Sequence, residues 1–107
     1  MASAYINAKV DLTGTGATVL YTAPSITTAI ITSILVSEDS GNADTITVTL
    51  TNAATAVFSL FKVKAVGANT TIELLTRPLV VEEAEILKVT AATGGRLHVV
   101  ASLLELS

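Results

Sequence analysis

The 107-residue chain has no cysteine and no tryptophan. Without thiols it has neither a disulfide framework nor a thiolate metal site. Histidine occurs once, as His98, so a zinc centre would lack its usual three or four ligands. Basic residues are few and scattered: Lys9, Lys62, Lys64, Arg77, Lys88 and Arg96. With a net charge of -3, this excludes the concentrated positive surface that a nucleic acid partner requires. No run approaches the ~20 apolar residues of a membrane-spanning helix, so no membrane partner is expected. The opening MASAYINAKV lacks the charged start and long apolar run of a signal peptide, so synthesis in a cytoplasm is expected. Charge itself is scarce: 14% of residues, against roughly 25% in soluble domains.

Hydrophobic residues make up 50% of the chain, enough for a core. Thr and Ala take the place of the missing charge. A surface poor in charge points to protein–protein contact, because interface cores are depleted in charge. The length fits one domain, residues 1–107.

Period two dominates the pattern. In ADTITVTLTN, Ile46, Val48 and Leu50 alternate with Thr45, Thr47, Thr49 and Thr51. Such a segment is a strand with one apolar face and one hydroxyl face. Similar runs are YINAKVDL, ATVLYTA, residues 27–37, TAVFSLFKVKA, NTTIELLT, EILKVTAA and RLHVVASLLEL. Turn signals separate them: TGTG, Pro24, EDSGNAD and TGG. About eight short strands at regular spacing predict an all-β, antiparallel sandwich, jelly-roll-like, whose connectivity period alone leaves open. The third strand is apolar on both parities, with Ile30, Ile34 and Val36 on one and Ile31 and Leu35 on the other. The stretch PLVVEEAEIL has room for one helical turn at residues 82–85.

A search for chemistry returns little. A lone His98, with Arg96 two residues away on the same strand face, reads as structural. The acidic run Glu82, Glu83 and Glu85 has no aromatic platform beside it in sequence, as a sugar-cleaving carboxylate pair would need. EDSGNAD carries Glu38, Asp39, Asn42 and Asp44 without the spacing of an EF-hand. TGTG lacks the length and lysine of a phosphate loop. A single Thr-x-Thr row falls short of the several rows that ordering water requires. No enzyme activity, cofactor or metal is expected.

Three segments in order carry a resemblance: residues 19–50, residues 68–92 and the closing GGRLHVVASLLELS. The first joins Tyr-Thr-x-Pro, a short turn, a β-branched strand, a Ser/Gly/Asn turn and an alternating strand. Together they resemble small β-sandwich virion proteins of tailed bacteriophages, either capsid decoration (cement) proteins or tail-associated ones. The resemblance implies a non-enzymatic structural protein in the virion, assembled in the host cytoplasm. It implies a homo-oligomer, with a trimer favoured, that contacts the major capsid protein or other virion proteins. The alternatives are a neck, tail or fibre-attachment component and a carbohydrate-binding adhesin module. At the position where such proteins often carry Ala-Gly-Asp after an acidic residue, this chain has Glu83-Ala84-Glu85. Alanine adopts positive φ less readily than glycine, so a differently built turn is expected there. The expected oligomer contacts are Ile31 and Leu35 of the third strand and Val100 and Leu104 of the last. The other reading of these four is ordinary sandwich core.

Overall fold

A computed structural model describes residues 3–107. Its strands are β1 (Ser3–Leu12), β2 (Thr18–Thr22), β3 (Thr28–Glu38), β4 (Asp44–Thr51), β5 (Val57–Val66), β6 (Thr71–Glu73), β7 (Leu79–Val81), β8 (Ile86–Ala91) and β9 (Leu97–Leu106). No helix occurs among the described residues.

The strands form two antiparallel sheets. One has the order β1-β9-β3, with β6 and β7 both pairing to the far flank of β3. The other has the order β2-β8-β4-β5. The chain crosses between sheets at almost every connection, and first and last strands lie side by side. This is jelly-roll wiring, with one strand position split into β6 and β7. The expected sandwich is therefore present, and the topology resolves the connectivity that period alone left open. The expected sixth strand shrinks to Thr71–Glu73, and Leu79–Val81 forms a strand that the sequence reading did not pick out.

The core lies between the sheets. Leu12, Ile34, Val36, Leu97, Val99 and Ala101 face inward from one sheet, and Ile46, Val48, Leu87 and Val89 from the other. Burying each large aliphatic side chain contributes about 1.5–3 kcal/mol. Ile46 and Val48 are wholly buried and Leu50 packs against the core, as the alternation predicts. Thr45, Thr47 and Thr49 lie on the outer side, half-buried. The Thr47 hydroxyl accepts the Val63 N–H at 3.0 Å. Val63 stands at φ 52, in a stretch of β5 where the pairing to β4 shifts register. The hydroxyl thus gives a partner to an N–H that the irregular edge strand turns away from the ladder.

In β3 the strict alternation breaks. The pairing to β9 shifts between Ile31 and Ser33, with Thr32 as the extra residue. Ile31 and Ile34, of opposite parity in sequence, therefore both point into the core at 0% exposure. Parity had grouped Ile31 with Leu35, and the bulge separates them.

At one end, the β8–β9 turn packs on the β1–β2 turn. A Cβ at Gly94 would lie 2.4 Å from the Thr13 carbonyl oxygen, so only glycine fits. The Gly95 N–H then reaches the Leu12 carbonyl at 2.8 Å.

The inward and outward assignments of β4 have a direct check by urea denaturation. Val48→Asp buries an unpaired carboxylate and is expected to cost more than about 4 kcal/mol. Thr47→Ser keeps the acceptor for Val63 and stays within about 0.5 kcal/mol of the parent. Thr47→Val removes that acceptor and costs about 1 kcal/mol. A folded, stable Val48→Asp protein would show that the facing is wrong.

Candidate functional site

The sites that sequence chemistry singled out fold into structural devices. Glu38 is almost wholly buried at the end of β3. Its carboxylate accepts the Ser40 hydroxyl and the backbone N–H groups of Ser40 at 2.7 Å, Gly41 at 3.0 Å, Asn42 at 3.1 Å and Asn69 at 3.0 Å. One side chain thus ties the β3–β4 loop to the β5–β6 loop. Burial pushes its pKa up, but the Ser40 hydroxyl and the Asn69, Ser40 and Gly41 N–H groups outweigh it and bring it down to about 2. Its oxygens are taken by donors, which leaves EDSGNAD poorly equipped as a cation loop. Asp44 does similar work, accepting from Thr45 N–H at 2.8 Å and from Thr93 N–H at 3.1 Å in the β8–β9 turn.

The acidic run is likewise a clasp. The Glu83 carboxylate accepts the Ile26 N–H in the β2–β3 loop. The Glu85 carboxylate accepts the Glu82 N–H at 2.8 Å, and the Glu85 N–H reaches the Glu82 carbonyl. Ala84 stands at φ 66, so residues 82–85 make a turn and not the expected helical turn. The expectation of a differently built turn is also corrected: the positive φ is kept with alanine in it. Backbone bonds between Ala23 and both Ala84 and Glu85 hold it there.

His98 lies differently from the sequence reading. Arg96 turns away and donates to the Ala43 carbonyl at 3.0 Å. The imidazole sits between carboxylates, Nε2 3.2 Å from Asp11 and Nδ1 3.7 Å from Asp39. Ser37, His98 and Asp11 share one row across β3, β9 and β1. That row has the residue types of a hydrolase triad but not its linkage: both ring nitrogens face acids, and no hydrogen bond joins Ser37 to His98. An open concavity of about 300 Å³ beside them is lined by Lys9, Val10, Asp11, His98, Val99 and Val100.

What remains is a face. Outward residues of the first sheet are set by register: Tyr5 faces Leu104, Leu104 faces Ile30, and Ile30 faces Val80. This apolar row crosses four strands. Two rows further, Lys9, Val100 and Leu35 align, with Glu73 beyond Leu35. Tyr5 is 84% exposed, Val80 50%, Leu35 39% and Val100 36%. Of the four residues expected at an oligomer contact, Leu35, Val100 and Leu104 share this face. Ile31 does not, because the bulge at Thr32 turns it into the core. Tyr5, Ile30 and Val80 belong to the same face and were missed. Their signal, outward parity on strands paired in this order, is readable only once the pairing is known.

No protein-family model matches the chain, and no curated protein matches it in sequence. Two solved structures share the fold. A chain from the disulfide-linked pili of Bacillus endospore appendages aligns over 99% of this chain and 87% of its own, with a TM-score of 0.60 at 7% identity. A chain from the structure of infectious bursal disease virus strain Gx aligns over 96% of this chain, with a TM-score of 0.59 at 14% identity. This chain spans only 32% of that viral chain. At such identities the likeness shows architecture alone.

Glu38 and Ala84 give two tests. The folded-state pKa of Glu38 lies below its usual 4.5, so its contribution is present above about pH 4.5 and is lost as pH falls toward 2. Glu38→Gln is expected to lower Tm at neutral pH by ~10 °C and to flatten the loss of Tm between these pH values. An unchanged acid profile in the variant would exclude this role. Ala84→Gly relieves a left-handed alanine and is expected to stabilise by about 0.5–1 kcal/mol in urea melts, net of the added chain entropy.

Proposed function

We propose that this chain is a non-enzymatic structural subunit that works by assembling with copies of itself. In its specific form, it is a capsid decoration or cement protein of a tailed-phage virion. It would form a symmetric oligomer, with a trimer favoured, and seat it on the major capsid protein. The observation that carries this reading is the exposed apolar face of the β1-β9-β3 sheet, in a protein whose surface otherwise carries little charge. Covering Tyr5, Val80, Leu35 and Val100 removes apolar surface from water without stranding an ion. The two structural neighbours come from a pilus and a virus, and this agrees with the reading. The pili are described as disulfide-linked, whereas these 107 residues hold no cysteine. No disulfide within these residues can join copies.

A virion neck, tail or fibre position uses the same physics and differs in copy number. A carbohydrate-binding module is less well supported: Tyr5 and the half-exposed Phe58 lie on different sheets and make no shared platform.

Light scattering on the purified protein at micromolar concentration is expected to give an oligomer mass. Leu35→Lys combined with Val80→Lys is expected to lower that mass while the protein stays folded. A stable parental monomer would defeat the reading. Electron microscopy of particles carrying the protein separates the positions, with hundreds of copies for shell decoration and a dozen or fewer for neck or tail.

A further inference from the structure

We propose that β1 is a strand-pairing edge whose occupant is β1 of a second copy, antiparallel across a two-fold axis at Asn7. The proposal rests on the self-assembly reading above and names one of its contacts. β1 pairs with β9 over all ten residues without a register shift, and β9 is its only strand partner among the described residues. Along the other flank, alternate backbone N–H and C=O groups point away from the sheet. That flank is a template roughly 33 Å long. The other edges are blunted. β5 shifts register twice and contains Val63 at positive φ. β2 has five residues and a register shift, and β6 and β7 have three residues each. Short strands and bulges are how sheets avoid edge pairing, and β1 has neither.

The side chains of β1 fit one register with themselves. When residue numbers on the two copies sum to 14, Ser3 to Asp11 are all paired. Asn7 then faces Asn7 of the second copy, and the two amides can donate and accept reciprocally. Tyr5 faces Lys9, which lays each ammonium along a ring that is otherwise 84% exposed. Ser3 faces Asp11, a hydroxyl donor opposite a carboxylate. On the inward parity, Ile6, 38% exposed at the sandwich margin, meets Ala8. A slide to a sum of 18 sets Lys9 against Lys9, a like-charge pair. The contact adjoins the outer-face contact, with Tyr5 at their shared margin, and two trimers joined through it would form a hexamer.

The absence of cysteine makes the test clean. Asn7→Cys, placed at the axis, is expected to give a covalent dimer under mild oxidation, since Cα atoms of facing residues lie within disulfide range. Ser3→Cys and Asp11→Cys should each remain uncrosslinked alone and crosslink when mixed. Asn7→Lys should lower the mass seen by light scattering while circular dichroism stays unchanged. An oligomeric protein in which Asn7→Cys does not crosslink would overturn the edge pairing and leave the self-assembly reading standing. Crosslinking of Asn7→Cys to Phe58→Cys in place of itself would also overturn it, by showing a head-to-tail β1–β5 contact. A monomeric parent would overturn both.

Discussion

Backbone N–H groups that fall outside the ladders must find acceptors, and in this protein carboxylates supply many of them. A jelly roll crosses between its sheets repeatedly, so its strands stop and its loops turn with donors to spare. Glu38, Asp44, Glu73, Glu83 and Glu85 each accept at least one backbone N–H. Acidic residues that look in sequence like a functional cluster are the fastenings of the fold.

Glu73 shows the economy of this scheme. The far flank of β3 is paired to β7 at Ala29–Ile31 and to β6 at Leu35–Ser37, which leaves a gap between. The Glu73 carboxylate fills it, accepting the Ser33 hydroxyl and the Ile34 N–H at 2.7 Å. It also accepts the Leu75 N–H at 3.1 Å. Burial pushes its pKa up, but the Ser33 hydroxyl and the backbone donors at Ile34, Leu75 and Leu74 hold it below the usual range. Beside this gap lies the bulge at Thr32, which turns Ile31 into the core. Between the sheets, the Tyr21 hydroxyl donates to Glu105 at 2.5 Å and bridges β2 to β9. Burial first, then the hydrogen bond and the charge of Glu105, raise the phenol's pKa.

Glu38 and Asp44 are buried, and Glu73, Glu83 and Glu85 engage backbone donors nearer the surface, in a chain with only 14% charged residues. The association proposed above draws on apolar rows and a backbone edge. The outer face of the β1-β9-β3 sheet and the free flank of β1 are continuous, since Tyr5 belongs to both.

The alternation of residues 43–52 and of the similar runs along the chain determined the class of the protein, because a strand's side chains take opposite faces whatever the strand pairs with. It also determined that Val48 faces inward and Thr47 outward. The sandwich and the turns at TGG and EDSGNAD were readable for the same local reason. Sequence could not place Ile31, because its direction depends on a bulge in the pairing of β3 with β9, next to a carboxylate forty residues further along. Nor could it show that Tyr5, Leu104, Ile30 and Val80 form one row, since that row exists only through the pairing of β1, β9, β3 and β7. Where a strand is regular, local periodicity gives which way a side chain points; the pairing of distant strands decides where that regularity breaks and what stands beside each side chain.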